Sequence, residues 1–135
     1  MVGPLNSDAR HRIVVAGTVN LPLRFVVSGI LRANSAPPYN AFFFKDLDNV
    51  LFSYSITDPH VNSRRGDPFS QLDLRIARSF SVKKTVKVQA ILDVFNLFNA
   101  DNPNGFDGYL ESPTFGQPSE FGDPRQAQLG FRIEF

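Results

Sequence analysis

The residues that could perform catalysis or bind a metal are few and scattered. His11 and His60 are the two histidines, and neither has a ligand partner at a useful spacing. The chain has no cysteine, and it contains neither a glycine-rich phosphate loop nor a nucleophile elbow. The sequence therefore predicts a protein that is not an enzyme and that holds no cofactor.

One short stretch carries oxygen ligands of the kind that calcium prefers. Asp46, Asp48 and Asn49 could hold this ion through their side-chain oxygens. The same residue types populate ordinary solvated turns, because their short side chains bond to the local backbone. We therefore expect a turn at these positions and predict no metal site.

Aromatic residues concentrate in the same part of the chain. Tyr39, Phe42, Phe43 and Phe44 are candidates for contact with a ligand. Buried aromatics more often serve packing, so these side chains could instead pack a hairpin together with Phe52 and Tyr54. Both interpretations stay open.

The organising pattern of the chain is an alternation of apolar and polar residues with a period of two, which is typical of β-strands. It predicts strands at about 10–21, 23–33, 69–80, 86–98 and 126–135. Leu72, Leu74 and Ile76 share one face of the third strand, opposite Gln71, Asp73 and Arg75. We expect an all-β fold, an antiparallel meander of about five long strands.

The connections between these strands alternate between short and long. The long ones cover about 34–68 and 99–124 and are rich in residues that favour turns. Transmembrane β-barrels have this asymmetry, with tight turns on one side and long extracellular loops on the other. We assign 1–8 to an amino-terminal extension and 9–135 to part of such a barrel.

Two alternatives remain at this point. A soluble all-β binding or structural module also alternates apolar and polar residues. A smaller barrel could form from several copies, although an odd number of strands argues against closure by one chain. Long strands favour the membrane barrel, and so do Phe25, Phe80 and Phe135, which lie near the short turns as an interfacial aromatic belt would.

Four segments resemble TonB-dependent outer-membrane receptors, including the Oar-like group. Asp93 to Asn99, with the sequence DVFNLFN, resembles their penultimate strand. Leu72 to Phe80 is similar to the strand before it, Ser35 to Tyr39 to the start of an extracellular loop, and Pro124 to Phe135 to the final strand. The four segments occur in the order and at the spacing of that family.

The resemblance implies the last five strands of a 22-stranded barrel in the bacterial outer membrane. The remaining strands and the plug that contacts TonB would lie elsewhere, as would a secretory signal, which residues 1–8 do not provide. The parent would import a nutrient such as a metal chelate or a glycan. Its implied partners are membrane lipid, the rest of the barrel, the plug and TonB; a net charge of +1 gives no reason to expect nucleic acid.

The carboxyl-terminal residues suggest one further role. Leu129, Phe131, Ile133 and Phe135 alternate up to the last residue. They resemble the signal that barrel-assembly machinery reads, in which an extended apolar strand pairs with a sheet edge. They could also simply face lipid. Charged residues on the opposite faces are expected to meet water inside the barrel, whereas Arg78 falls on the apolar face near a strand end, where it could reach the interface.

Overall fold

A computed structural model describes residues 2–47, 50–56, 60–83 and 85–135, except for the side chains of residues 45–47, 50–56 and 83. Within these residues the chain forms eleven strands and one short 3-10 helix, η1 (Pro22–Arg24). Five strands are long: β1 (Arg12–Leu21), β2 (Phe25–Asn34), β7 (Phe69–Lys83), β8 (Val86–Phe95) and β11 (Gln126–Glu134). The others are β3 (Pro38–Tyr39), β4 (Phe42–Leu47), β5 (Val50–Ile56), β6 (Arg64–Arg65), β9 (Gly105–Phe106) and β10 (Pro118–Glu120).

The long strands form one sheet in the order β1-β2-β7-β8-β11. Each long strand is therefore hydrogen-bonded to the long strand that precedes or follows it along the chain. β7 pairs antiparallel with β8, and β8 pairs antiparallel with β11. The expected all-β meander of five long strands is confirmed.

The chain divides into two compact units. The sheet unit comprises the described parts of Ile13–Ala33, Ser70–Asp101 and Asp123–Phe135. The loop unit comprises those of Met1–Arg12, Asn34–Phe69 and Asn102–Gly122. The loop unit thus collects the amino-terminal segment and most of both long connections.

The strand register keeps the apolar side chains of neighbouring strands on one face. Ile76 pairs with Leu92, which in turn pairs with Leu129. A shift by one residue would move every apolar side chain of a strand to the other face, so the period-two pattern specifies this register. Leu129 and Phe131 are 76% and 74% exposed, so no layer formed by the described residues covers them.

The connection between β1 and β2 is tight and uses an unusual backbone. Leu23 and Arg24 both have positive φ, 62° and 60°. Consecutive residues in this conformation match the right-handed twist of a hairpin, but the role normally falls to Asn and Gly. Leucine and arginine are strained there because their Cβ atoms crowd the backbone.

The loop unit is built from short pairings. β4 and β5 form a hairpin, and β3 pairs with β6 and β9 with β10. A bridge between Phe42 and Tyr109 joins the two long connections. Gly108 allows this approach, because a Cβ atom there would lie 2.0 Å from the carbonyl oxygen of Asn40.

Strand bounds differ from the predicted ones at several ends. β2 begins at Phe25 rather than at residue 23, because the two preceding residues belong to η1. β7 continues to Lys83 rather than ending at Phe80, since the ladder with β8 extends as far as the pair Lys83 and Val86. β8 ends at Phe95 rather than Phe98, because Asn96 takes a φ of 48° that no strand accommodates. No helix in the described part of the chain is long and apolar enough to cross a membrane.

Candidate functional site

Charged side chains on the polar face of the sheet are paired with one another. Arg75 on β7 donates two hydrogen bonds to Asp93 on β8, at 2.5 and 3.0 Å. Gln128 on β11 donates to the same carboxylate at 3.1 Å. The Asp93 side chain is only 8% exposed, so these three contacts supply the donors that a nearly covered carboxylate requires.

A second carboxylate, that of Asp73, links further elements of this face. Arg32 on β2 lies 2.5 Å from it, and Gln71 donates to it at 2.7 Å. The backbone N–H of Asn96, just after β8, also donates to Asp73 at 3.0 Å. Asp73 therefore holds β2 and the end of β8 to β7.

The polar face remains wet despite these pairings. The side chains of Arg32 and Arg75 are 45% and 57% exposed, and Arg132, paired with Glu134 at 3.1 Å, is 66% exposed. Arg24 donates to Ser81 at 2.6 Å at the end of the face nearest the short turns. These side chains form a charged and partly exposed face of the sheet.

The segment DVFNLFN, which carries the family resemblance, combines the end of a strand with a turn. β8 ends at Phe95, and the turn follows from Asn96. Asn96 is 2% exposed, and its amide donates to the carbonyl oxygens of Ala100 and Asp123 and accepts from the N–H of Ala100. Asn99, with a φ of 52°, accepts from the N–H of Arg125. The sequence analysis did not predict either role. The asparagine residues themselves were the available signal, because asparagine tolerates positive φ better than other residues with a side chain.

The loop unit contains a pocket of about 270 Å³ with aromatic and amide walls. Tyr39 and Phe106 stack at its side with ring centroids 5.4 Å apart and an interplanar angle of 20°. A Cβ atom on Gly66 would lie 1.9 Å from the Phe106 ring, so glycine is required behind that wall. Its lining consists of Asn6, Pro37, Pro38, Tyr39, Asn40, Phe42, Asn62, Asn104, Phe106 and Gly108.

Asn62 is the most constrained polar residue of this pocket. It is 7% exposed, its backbone φ is 55°, and its N–H donates to Asn40. Its side-chain nitrogen donates to the carbonyl oxygen of Pro4 at 2.7 Å and to Asn6 at 2.5 Å. Its Oδ1 atom is buried without a hydrogen-bond partner among the described residues, which is uncommon for a buried amide.

The structure brings together part of the predicted ligand-contact set. Tyr39 and Phe42 line the pocket, whereas Phe44 packs edge-on against Phe42 at 5.7 Å and lies 5.5 Å from Tyr109. Phe43 is half-buried and does not line the pocket. The side chains of Phe52 and Tyr54 lie outside the described residues. Contact with a ligand stays a prediction.

A turn of the loop unit is organised around Asp107. The pKa of Asp107 is lowered by hydrogen bonds from Ser112, the N–H of Tyr109 and Thr114. Tyr109 donates to Glu111 at 2.6 Å, and this bond raises the tyrosine pKa. Because the pKa of Asp107 is depressed, its stabilising contribution is present above the unfolded pKa and is lost as pH falls through the folded pKa.

The candidate calcium ligands fall largely outside the described residues. Asp48 and Asn49 lie outside the described residues, and so does the side chain of Asp46. Across the residues that are described, no three His, Asp or Glu side chains come together. The backbone N–H of His11 donates to the hydroxyl of Ser35 at 3.1 Å.

The carboxyl-terminal residues lie on an edge of the sheet. β11 is hydrogen-bonded to β8 on one side and ends the strand order on the other. Ile133 is 60% exposed and Phe135 is fully exposed, as are most of the side chains of Leu129 and Phe131. This geometry presents an extended apolar strand, and its reading by assembly machinery stays a prediction.

Comparison with known proteins identifies a family for most of the chain. A family model described as an outer membrane beta barrel domain matches residues 33–128, which is more than half of the chain. No curated protein and no solved structure matches the chain.

Proposed function

The chain belongs to the family of outer membrane β-barrel domains, and on that premise we propose that it forms the carboxyl-terminal wall of a TonB-dependent transporter. Membership of the family implies a place in the bacterial outer membrane. The proposed parent imports a nutrient, such as a metal chelate or a glycan, with energy delivered through TonB. The chain contributes barrel wall and two long extracellular loops and carries out no chemical reaction.

The observation that carries the proposal is the difference in polarity between the two faces of one sheet. Leu92, Leu129 and Phe131 share an apolar face, while the other face holds the linked pairs around Asp73 and Asp93. An arginine or lysine in the middle of the lipid face would cost about 2–4 kcal/mol, whereas in a water-filled lumen it is solvated. A wide barrel with a hydrated interior provides both environments.

The loop unit supports the transport part of the proposal. The large connections supply aromatic and amide side chains around a pocket, which offers ring faces and hydrogen-bonding groups to a ligand. Tyr39, Phe42 and Asn62 all line that pocket. We assign these three residues to the first contact with the nutrient.

The segment from Asp93 to Asn99 resembles TonB-dependent receptors, and this resemblance supports the finer family assignment. In this chain the same residues join three strands through Asp93 and close β8 through Asn96. The proposed partners follow from that assignment. They are a plug domain against the polar face, TonB through the plug, membrane lipid against the apolar face and the barrel-assembly machinery.

Single-cysteine variants can test the proposal, because the chain has no native cysteine. The variants Gln128→Cys and Leu129→Cys place a photoreactive label on opposite faces of β11 in the complete gene product. We expect the label at 128 to cross-link to a plug domain of the same polypeptide. The label at 129 should cross-link to lipid.

Uptake measurements in cells that produce the same protein can test the energy source of transport. A strain without TonB should lose uptake of whichever chelate or glycan the wild-type strain accumulates through this gene product. Uptake that is independent of TonB would refute the transporter assignment. Equal cross-linking to protein from 128 and 129 would refute the two-faced wall itself.

A further inference from the structure

One charged residue interrupts the lipid-facing surface. In the described residues of β7, β8 and β11, Arg78 is the only charged side chain on the apolar face. It pairs with Ala90 across the ladder, and it lies between Ile76 and Phe80 on β7. Charges on the lipid face of a barrel are unfavourable, so this arginine requires a partner that compensates it.

The protein supplies only part of that compensation. The guanidinium carbon of Arg78 lies 4.7 Å from the ring centroid of Phe25 and 4.8 Å from that of Phe80. Both distances are within the range of cation–π attraction. Nε of Arg78 is buried without a hydrogen-bond partner among the described residues, so the two rings attract the charge but accept no hydrogen bond from Nε.

A groove of about 280 Å³ adjoins this arginine on the same face. Its apolar lining comes from neighbouring strands, with Ile76 from β7, Leu92 from β8, and Leu129 and Phe131 from β11. Arg78 is its one cationic lining residue. The combination of an apolar trough and a single cation fits a molecule with a hydrocarbon chain and an anionic head.

The position along the strands places this cation near one membrane interface. Phe25 directly follows the short β1–β2 turn, and Phe80 lies three residues before the end of β7. Polar residues such as Ser81 continue beyond it towards the β7–β8 connection. A long arginine side chain at this depth reaches the head-group region while its stem stays in the apolar layer.

We propose that Arg78 and the adjoining groove bind an anionic phospholipid of the membrane leaflet that faces the short turns. The guanidinium donates to the lipid phosphate, for which its planar array of donors is well suited. One acyl chain lies in the groove between Ile76 and Leu129. The site depends on the apolar face meeting lipid and is independent of the transport activity.

A membrane lipid fits better than a free anion for two reasons. The groove lining is almost entirely apolar, and a hydrated phosphate ion would leave that surface uncovered. The cation also lies between two phenylalanine rings, which a lipid-embedded head group can approach from the bilayer. The occupant must therefore bring hydrocarbon and negative charge together.

The test uses the complete gene product reconstituted in phosphatidylcholine nanodiscs that contain a minor fraction of phosphatidylglycerol. After mild extraction, mass spectrometry measures the phosphatidylglycerol that each protein retains. Arg78→Gln should retain at least about tenfold less than the unmodified protein, the factor expected from losing a charge-assisted hydrogen bond. Arg132→Gln, which makes the same charge change on the polar face, should retain as much as the unmodified protein.

Two further measurements cover the case in which Arg78→Gln does not fold. Arg78→Lys keeps the charge but loses the planar donors, and its retention should be intermediate. A photoreactive phosphatidylglycerol should label groove peptides of the unmodified protein more strongly than the phosphatidylcholine analogue does. Equal labelling by the two lipids, or full retention by Arg78→Gln, would overturn the proposal.

Discussion

Three asparagine and aspartate side chains of the resembling segment act through the backbone and their neighbours. Asp93 gathers donors from β7 and β11, and Asn96 and Asn99 hold the turn after β8 to the start of β11. All of these hydrogen bonds are made within the protein. At the scale of the residue, this segment ends β8 and fixes the turn that follows it.

Replacing Asn96 tests this structural role. Asn96→Ala removes three hydrogen bonds and leaves a non-glycine residue without an amide at positive φ. We expect the free energy of unfolding in lipid vesicles to fall by about 2–4 kcal/mol, because backbone groups of Ala100 and Asp123 lose their partners.

Asn104→Ala is the matched control, since Asn104 has an exposed side chain in the same long connection. Its free energy of unfolding should change by no more than about 0.5 kcal/mol. Similar losses for the two variants would show that Asn96 does not organise the turn.

At the scale of the element, the tight β1–β2 turn is the place where a substitution should most clearly increase stability. Leu23 is 74% exposed and has a φ of 62°, so it supplies no packing and carries backbone strain. Leu23→Asn should raise the free energy of unfolding by about 1 kcal/mol, because asparagine tolerates this conformation better.

Urea unfolding in vesicles measures this effect, and Leu23→Gln provides the comparison. Glutamine has a similar polarity but no preference for positive φ, so it should not reproduce the gain. A gain of equal size for glutamine would assign the effect to polarity instead of the backbone.

The long strands could be predicted because burial on one face imposes a period of two over many residues. The end of β8 could not, because Val94, Phe95, Leu97 and Phe98 read as continuing strand while the backbone of Asn96 decides the outcome. Strands β3, β6 and β9 have two residues each, too few to show any alternation.

The pocket of the loop unit was likewise only partly predictable. Tyr39 and Phe42 stood out as aromatic, but Phe106 lies more than sixty residues away and reaches the pocket through a non-local pairing. Asn62 resembles any other loop asparagine in the sequence. Its orphaned acceptor is a property of the fold and has no local sequence signal.

At the scale of the whole molecule, β1 and β11 are the edges of the sheet. Unpaired strand edges attract other strands, and a closed barrel removes them by joining the last strand to the first. In the proposed transporter, both edges of this sheet would pair with other strands of the barrel. The predicted assembly signal lies on one of them.

Deleting Phe135 tests that prediction in the complete gene product. Loss of the fully exposed terminal ring should reduce the amount of heat-modifiable, folded barrel in the outer membrane by several-fold. Phe135→Tyr keeps an aromatic ring and should assemble normally. Unchanged levels of folded barrel after the deletion would exclude this residue from the signal.

The strand order has one more consequence. Because each long strand is bonded to its nearest long neighbour along the chain, a gene duplication that copies one hairpin would insert two strands without breaking any existing pair. The copied hairpin would also keep its lipid side outward, since an even number of strands restores the direction of the chain. Barrels built in this way can change circumference in steps of two strands.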